Sequence, residues 1–233
     1  MKNLLFLITV LLLISGCAAN LSKKEQYSEE TPSDAALSKD YGWWYAAFRF
    51  EWPANSAPLW HRDVMVAHRI ILPVLKQYRP QIKYWRVHRR AGRDGGGHRF
   101  SFIFYATPQT AQAIYAQIET DPDLMAWRQK GMITQIHFDD FRQILKPDIE
   151  DTSDPSWPAI IQQTWPLYIQ GVSEMWLALV EKLAEEFALD TLAEKPYRQV
   201  QHHLTLLWAH NARHAFLHHL NAIYAYETFW ASY

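Results

Sequence analysis

The chain opens on an apolar run and then changes character abruptly. Leu4 to Ile14 is apolar except for Thr9 and follows the short positive stretch Met1-Lys2-Asn3. As a helix, this run spans roughly 16 Å, about half of a ~30 Å hydrocarbon core, so it predicts a translocation signal rather than a permanent membrane span. Ala18 to Asp40 is rich in Ser, Lys, Glu, Thr, Pro and Asp. Such a segment is too polar to offset the entropy of ordering and predicts a flexible tether with a reach of roughly 25 Å.

Alternation with period two begins near Trp43. Trp44, Ala46, Phe48, Phe50 and Trp52 alternate with Trp43, Tyr45, Ala47, Arg49 and Glu51, which predicts a strand. Pro53 and Pro58 bound a loop. From Trp60 to Tyr78 the spacing of Val64, Ala67, Ile71, Val74 and Leu75 is helical, and Pro73 should kink or break that helix. Ile82 to Arg90 and His98 to Ala106 read as strands joined by Ala91-Gly92-Arg93-Asp94-Gly95-Gly96-Gly97. The glycines suit a turn; with no helix opening directly after them, they are weak support for a phosphate site. Thr107-Pro108 has the form of an N-cap followed by proline at the first helical position, starting a helix to about Ile118. A short helix from Asp121 to Lys130 and a strand from Met132 to Phe138 follow, with Met132, Ile136 and Phe138 on one side.

The order strand, helix, strand, strand, helix, strand predicts an α+β, ferredoxin-like fold: a four-stranded antiparallel sheet with two helices on one face. Trp157 to Ala188, where Pro166 is a candidate interruption, and Pro196 to Trp230 then predict a C-terminal helical hairpin. It is apolar enough to pack on the open sheet face or beside the sheet.

Ile14-Ser15-Gly16-Cys17 closes the apolar run and resembles the lipobox of bacterial lipoproteins, a branched apolar residue and two small residues before a cysteine. The resemblance covers only the leader. It implies diacylglycerol on Cys17, loss of residues 1–16, acylation of the new amino terminus, and hence the membrane as a partner held through lipid. Ala18 after the cysteine, rather than Asp, implies the outer membrane in lipoproteins of enteric type, with the protein facing the periplasm. The chain then divides into residues 1–16 as signal peptide, 17–40 as lipidated start and tether, 41–145 as the ferredoxin-like domain and 146–233 as the helical extension.

Composition adds bounds. Cys17 is the only cysteine, so no disulfide supports the fold, and a chain with 49% hydrophobic residues must rely on its core. Without Lys2 the 23 basic residues become 22 against 24 acidic ones, about −2, with no nucleic-acid footprint.

Two constellations could carry chemistry. On the helix from Tyr197, 100° per residue gathers His203, His210, His214, His218 and Asn221 into one stripe, and the apolar residues on the other sides predict a largely buried helix. Adjacent pairs among His210, His214 and His218 have the spacing for one divalent metal ion, with a further ligand needed from elsewhere; core or cleft histidines are the favoured alternative, and no cofactor is otherwise expected. The second constellation is set by strand parity. With Phe100, Phe102 and Phe104 inward, Arg99 joins Arg49, Arg86, His88 and Arg90 on the opposite face. Covered by the histidine-striped helix, these would form a cationic cleft for carboxylate or phosphate. Pairing of the arginines with acidic residues of the covering helices is the favoured alternative.

Trp85-Arg86-Val87-His88-Arg89-Arg90, the glycine turn and Gly97-His98-Arg99-Phe100 resemble a segment of the carboxy-terminal domain of lantibiotic and thiopeptide dehydratases. The likeness spans only about twenty residues, lacks the downstream tyrosine and glutamate motif, and carries over no catalytic role. No nucleophile motif occurs, and Asp139-Asp140 reads as a strand-end cap or a solvated turn. A non-catalytic envelope lipoprotein that binds a protein partner or an anionic ligand is favoured. A metal-dependent envelope enzyme is the alternative.

Overall fold

A computed structural model of the chain describes residues 41–187 and 193–226. The signal run, Cys17, the tether, Ala188 and Trp230 lie outside the described residues. Four strands, β1 (Gly42–Phe50), β2 (Tyr84–Ala91), β3 (His98–Ala106) and β4 (Ile133–Phe138), form one antiparallel sheet in the order β2-β3-β1-β4. This is the predicted ferredoxin-like arrangement. Its helices are α1 (Trp60–Val66), a π-helical stretch (Ala67–Ile71), α2 (Leu72–Tyr78), α3 (Pro108–Glu119) and α4 (Pro122–Gln129).

One face of the sheet makes the core. Trp44, Ala46, Phe48 and Phe50 of β1 and Phe100, Phe102 and Phe104 of β3 pack against Val64, Ile71, Val74, Ile114 and Ile118. Thr107 caps α3 by accepting from the Thr110 amide, and Asp121 caps α4 by accepting from the Asp123 and Leu124 amides. In β4 a register shift opposite Arg49/Phe50 pairs Phe50 with Ile133 while Phe48 pairs with Ile136. The bulge moves Ile133 into the core, and Met132, expected on that side by strict alternation, is only partly buried.

Neither proline ends its helix. Pro73 lies just after the π-helical stretch, whose wider turn absorbs the break in the usual bonding ladder. Pro166 sits inside α5 (Ala159–Glu186) and has no N–H to offer the Gln162 carbonyl; the Ser153 hydroxyl donates to that carbonyl instead, at 2.8 Å.

The C-terminal helices extend the core beside the sheet rather than covering its open face. α5 runs along the β2 edge, and α6 (Glu194–Ala212) packs on α1 and α5. A second π-helical stretch (Arg213–His218) and α7 (His219–Ile223) follow. The expectation of a largely buried histidine helix is corrected here. α6 buries only Tyr197, Val200, Leu204 and Ala212, because two neighbours cover one side of it, and His210, His214, His218 and Asn221 are exposed. No helix among the described residues is long and apolar enough to cross a membrane.

Candidate functional site

Strand parity builds an arginine face on the side of the sheet turned away from the core. Arg49 of β1 lies opposite Arg99 of β3, and Arg99 opposite Arg90 of β2, with Gln135 of β4 ending the row. The next row is His137, Ala47, Ser101 and His88; beyond it lie Tyr45, Ile103 and Arg86. Ala47 is small and buried and forms the floor of a concavity of about 290 Å³ that Arg49, Arg99, Gln135, His137, Gly95 and Gly96 enclose. At the far end of this face, residues 146–149 close over the sheet. Trp43 donates its indole N–H to the Asp148 and Ile149 carbonyls, and the Tyr105 hydroxyl donates to the Pro147 carbonyl.

Like charges directly opposite one another on paired strands are unfavourable, so what neutralises this row matters. Arg90 pairs with Asp94 of the hairpin, and that bond holds the Asp94 carboxyl at about 2. Arg49, Arg86 and Arg99 make no ion pair with any described residue, so the pairing with covering helices expected from sequence does not form. Arg86 makes one hydrogen bond, 3.4 Å to the Thr152 carbonyl, and burial lowers its pKa. The Nε donors of Arg86 and Arg99 are buried without an acceptor among the described residues. Desolvation, followed by the charges of Arg86, Arg99 and Arg90, lowers the pKa of His88. Asp139 and Asp151 line the hollow that holds Arg86 and His88, and His137 pairs with Asp139, but around Arg49 and Arg99 the described residues supply no carboxylate partner, the condition in which an oxyanion binds well.

The glycine turn serves these side chains. A Cβ at Gly96 would fall on the Arg90 guanidinium, and one at Gly97 would come within 3.3 Å of that of Arg49. Gly97 also has φ +61°, a left-handed conformation suited to glycine. The loop thus supplies room for two arginines.

A second polar cluster lies on the core side. Asp63, fully buried on α1, accepts from His98 Nε2 at 2.9 Å and from Arg89 Nε at 2.8 Å. The rings of Phe50, Trp52 and Trp60 surround His98. Beside this cluster, His61 and Arg62 both bond Glu194 at the start of α6, fastening that helix to α1. Burial opposes ionisation of Glu194, but the bond from His61 and the charge of Arg62 outweigh it and leave its pKa lowered. Sequence reasoning missed this cluster although a signal was present: parity turns Arg89 inward with Trp85 and Val87, and Asp63 is the only acidic residue between Trp60 and Tyr78.

No hydrogen bond, ion pair or ring contact joins the histidine stripe to the arginines among the described residues, so the expected covered cleft is absent there. His203 bonds the Gln199 carbonyl. The rings of His214 and His218 stack 5.4 Å apart, His219 joins them, and His210 makes no ring contact. No group of three or more His, Cys, Asp or Glu able to hold a metal ion occurs among the described residues.

No family model matches the chain, and no curated protein or solved structure matches it either.

Proposed function

We propose that the chain is a lipid-anchored protein of the bacterial envelope that binds an anionic ligand, through carboxylate or phosphate oxygens, on the arginine face of its sheet. One observation carries the binding reading: Arg49 and Arg99 line one concavity, Arg86 shares their sheet face, none of the three has an ion-pair partner among the described residues, and Arg86 and Arg99 keep buried Nε donors that no described acceptor meets. The anchor rests on the Ile14-Ser15-Gly16-Cys17 motif, and the placement at the outer membrane on Ala18.

Both parts can be tested. The described core residues lie at position 43 or later, so a form beginning at Ala18 carries all of them. Titration calorimetry of that form with pyrophosphate and with citrate should show a single site. Arg49→Gln combined with Arg99→Gln should weaken it at least about tenfold, since each charge-assisted hydrogen bond is worth about 1.5–3 kcal/mol. Equal binding by the double variant would sink the assignment. Mass spectrometry of Cys17 in protein from native membranes tests the anchor independently.

A further inference from the structure

A groove of about 530 Å³ lies between α5 and α6, walled by Val172, Met175, Trp176 and Leu179 on one side and by Leu204 and Trp208 on the other. Its size falls in the range of small-molecule sites, which are mostly apolar with a few converging polar groups. Here those groups are Arg89, Gln201 and Thr205. Gln201 Nε2 donates to the Thr205 hydroxyl, which donates to the Gln201 carbonyl, so these two largely satisfy each other.

Arg89 is different. Its Nε donates to Asp63, and its Nη2 donates to the Trp60 carbonyl and the Gln201 side chain. Nη1 meets no acceptor among the described residues. The guanidinium carbon lies 5.2 Å from the Trp60 ring centre and 5.0 Å from that of Trp176, so two indoles hold the cation in place. Asp63 binds the Nε side only and already offsets much of the charge, which favours a monoanion over a dianion. One cationic donor in an otherwise apolar groove fits one type of guest.

We propose that this groove binds a free alkyl carboxylate, its head on Arg89 Nη1 and its tail along the aliphatic and indole walls. The site is separate from the arginine face, since parity turns Arg89 to the opposite side of β2 from Arg86 and Arg90.

The test is calorimetry of the form beginning at Ala18 with octanoate, decanoate and dodecanoate, each below its aggregation concentration. Dodecanol and dodecyltrimethylammonium serve as head-group controls. One molecule should bind per chain, roughly fourfold more tightly for each added methylene while the tail still gains wall contact. The cationic amphiphile should bind at least about tenfold more weakly than dodecanoate, and dodecanol should fall between them. Val172→Trp and Thr205→Trp, at exposed positions on the walls, should abolish binding with the melting transition retained, while Arg49→Gln with Arg99→Gln should leave it intact. The proposal is overturned if several molecules bind per chain, if the cationic amphiphile binds as well as dodecanoate, or if folded Trp variants bind normally. The head-group comparison needs no variant, so a misfolded substitution does not protect the idea.

Discussion

Asp63 holds two partners from different strands at once, Arg89 of β2 and His98 of β3; the His98 bond is fully buried and the Arg89 bond partly so. Removing the carboxylate of such an arrangement costs more than the net worth of the bonds, because His98 stays buried without an acceptor and Arg89 loses its counter-charge. Asp63→Ala should therefore lower stability by about 3–5 kcal/mol, read as a shift in the urea midpoint at unchanged slope; a loss below 1 kcal/mol would show that the cluster is a passenger. Buried His61 and half-buried His68 respond to pH. Burial, followed by the charge of Arg69, lowers the pKa of His68, and burial also lowers that of His61 despite its bond to Glu194. Tyr197, whose pKa burial pushes up to about 12, keeps its proton, and its hydroxyl shares a hydrogen bond of 2.8 Å with His68 Nδ1. Since both folded values lie below the ordinary 6.5, the unfolded chain takes up protons first on acidification. This contribution to stability is complete above about 6.5 and declines as the pH falls through the folded values. The urea midpoint should drop between pH 7.5 and pH 5.5, and His68→Gln should reduce that drop; a midpoint unchanged with pH would contradict the linkage.

Among the elements, the β2-β3 hairpin bears most directly on binding. Gly97→Ala places a side chain in the left-handed region and against the Arg49 guanidinium, so it should cost about 1–2 kcal/mol and also weaken anion binding. Gly96→Ala displaces only the flexible end of Arg90, so calorimetry with pyrophosphate should find it nearly neutral. These two variants separate backbone strain from crowding. The hairpin also shows what the sequence makes legible. Two-residue alternation assigns Arg49, Arg86, His88, Arg90 and Arg99 to one face without any knowledge of partners, since each side chain's direction follows from its neighbour's. Alternation fails where a bulge intervenes, as at Ile133, because an extra residue leaves no mark on hydrophobic pattern. Helical periodicity is weaker still for α6. It orders His203, Val200 and Leu204 around the axis but does not say which arc meets α1, and the π-helical stretch then shifts the register between His210 and His214. The Asp63 cluster is long-range in sequence, and only the unusual inward parity of Arg89 and the lone acid between Trp60 and Tyr78 announced it.

At the scale of the whole molecule, the sheet and the C-terminal helices share one core. α5 covers the exposed edge of β2, where Gln170 Oε1 accepts from the Trp85 amide and Ser173 Oγ from the Val87 amide, both at 3.2 Å. An edge strand stripped of such cover presents unpaired amides that recruit other chains. Leu177, Val180 and Leu183 of α5 and Tyr197, Val200 and Leu204 of α6 belong to the same apolar cluster as the strands. Burying a large apolar side chain is worth about 1.5–3 kcal/mol, so these six together rival the whole net stability of about 5–15 kcal/mol typical of a domain. A chain cut after Ser156 keeps all four strands and α1 to α4, yet loses that contribution and bares β2. Such a fragment should show no cooperative urea transition by circular dichroism and should associate in light scattering, whereas the form beginning at Ala18 should unfold in a single transition. If the fragment unfolded cooperatively as a monomer, the sheet with its own helices would be an independent domain, and the boundary near residue 145 drawn from element order would mark a division in folding as well as in sequence.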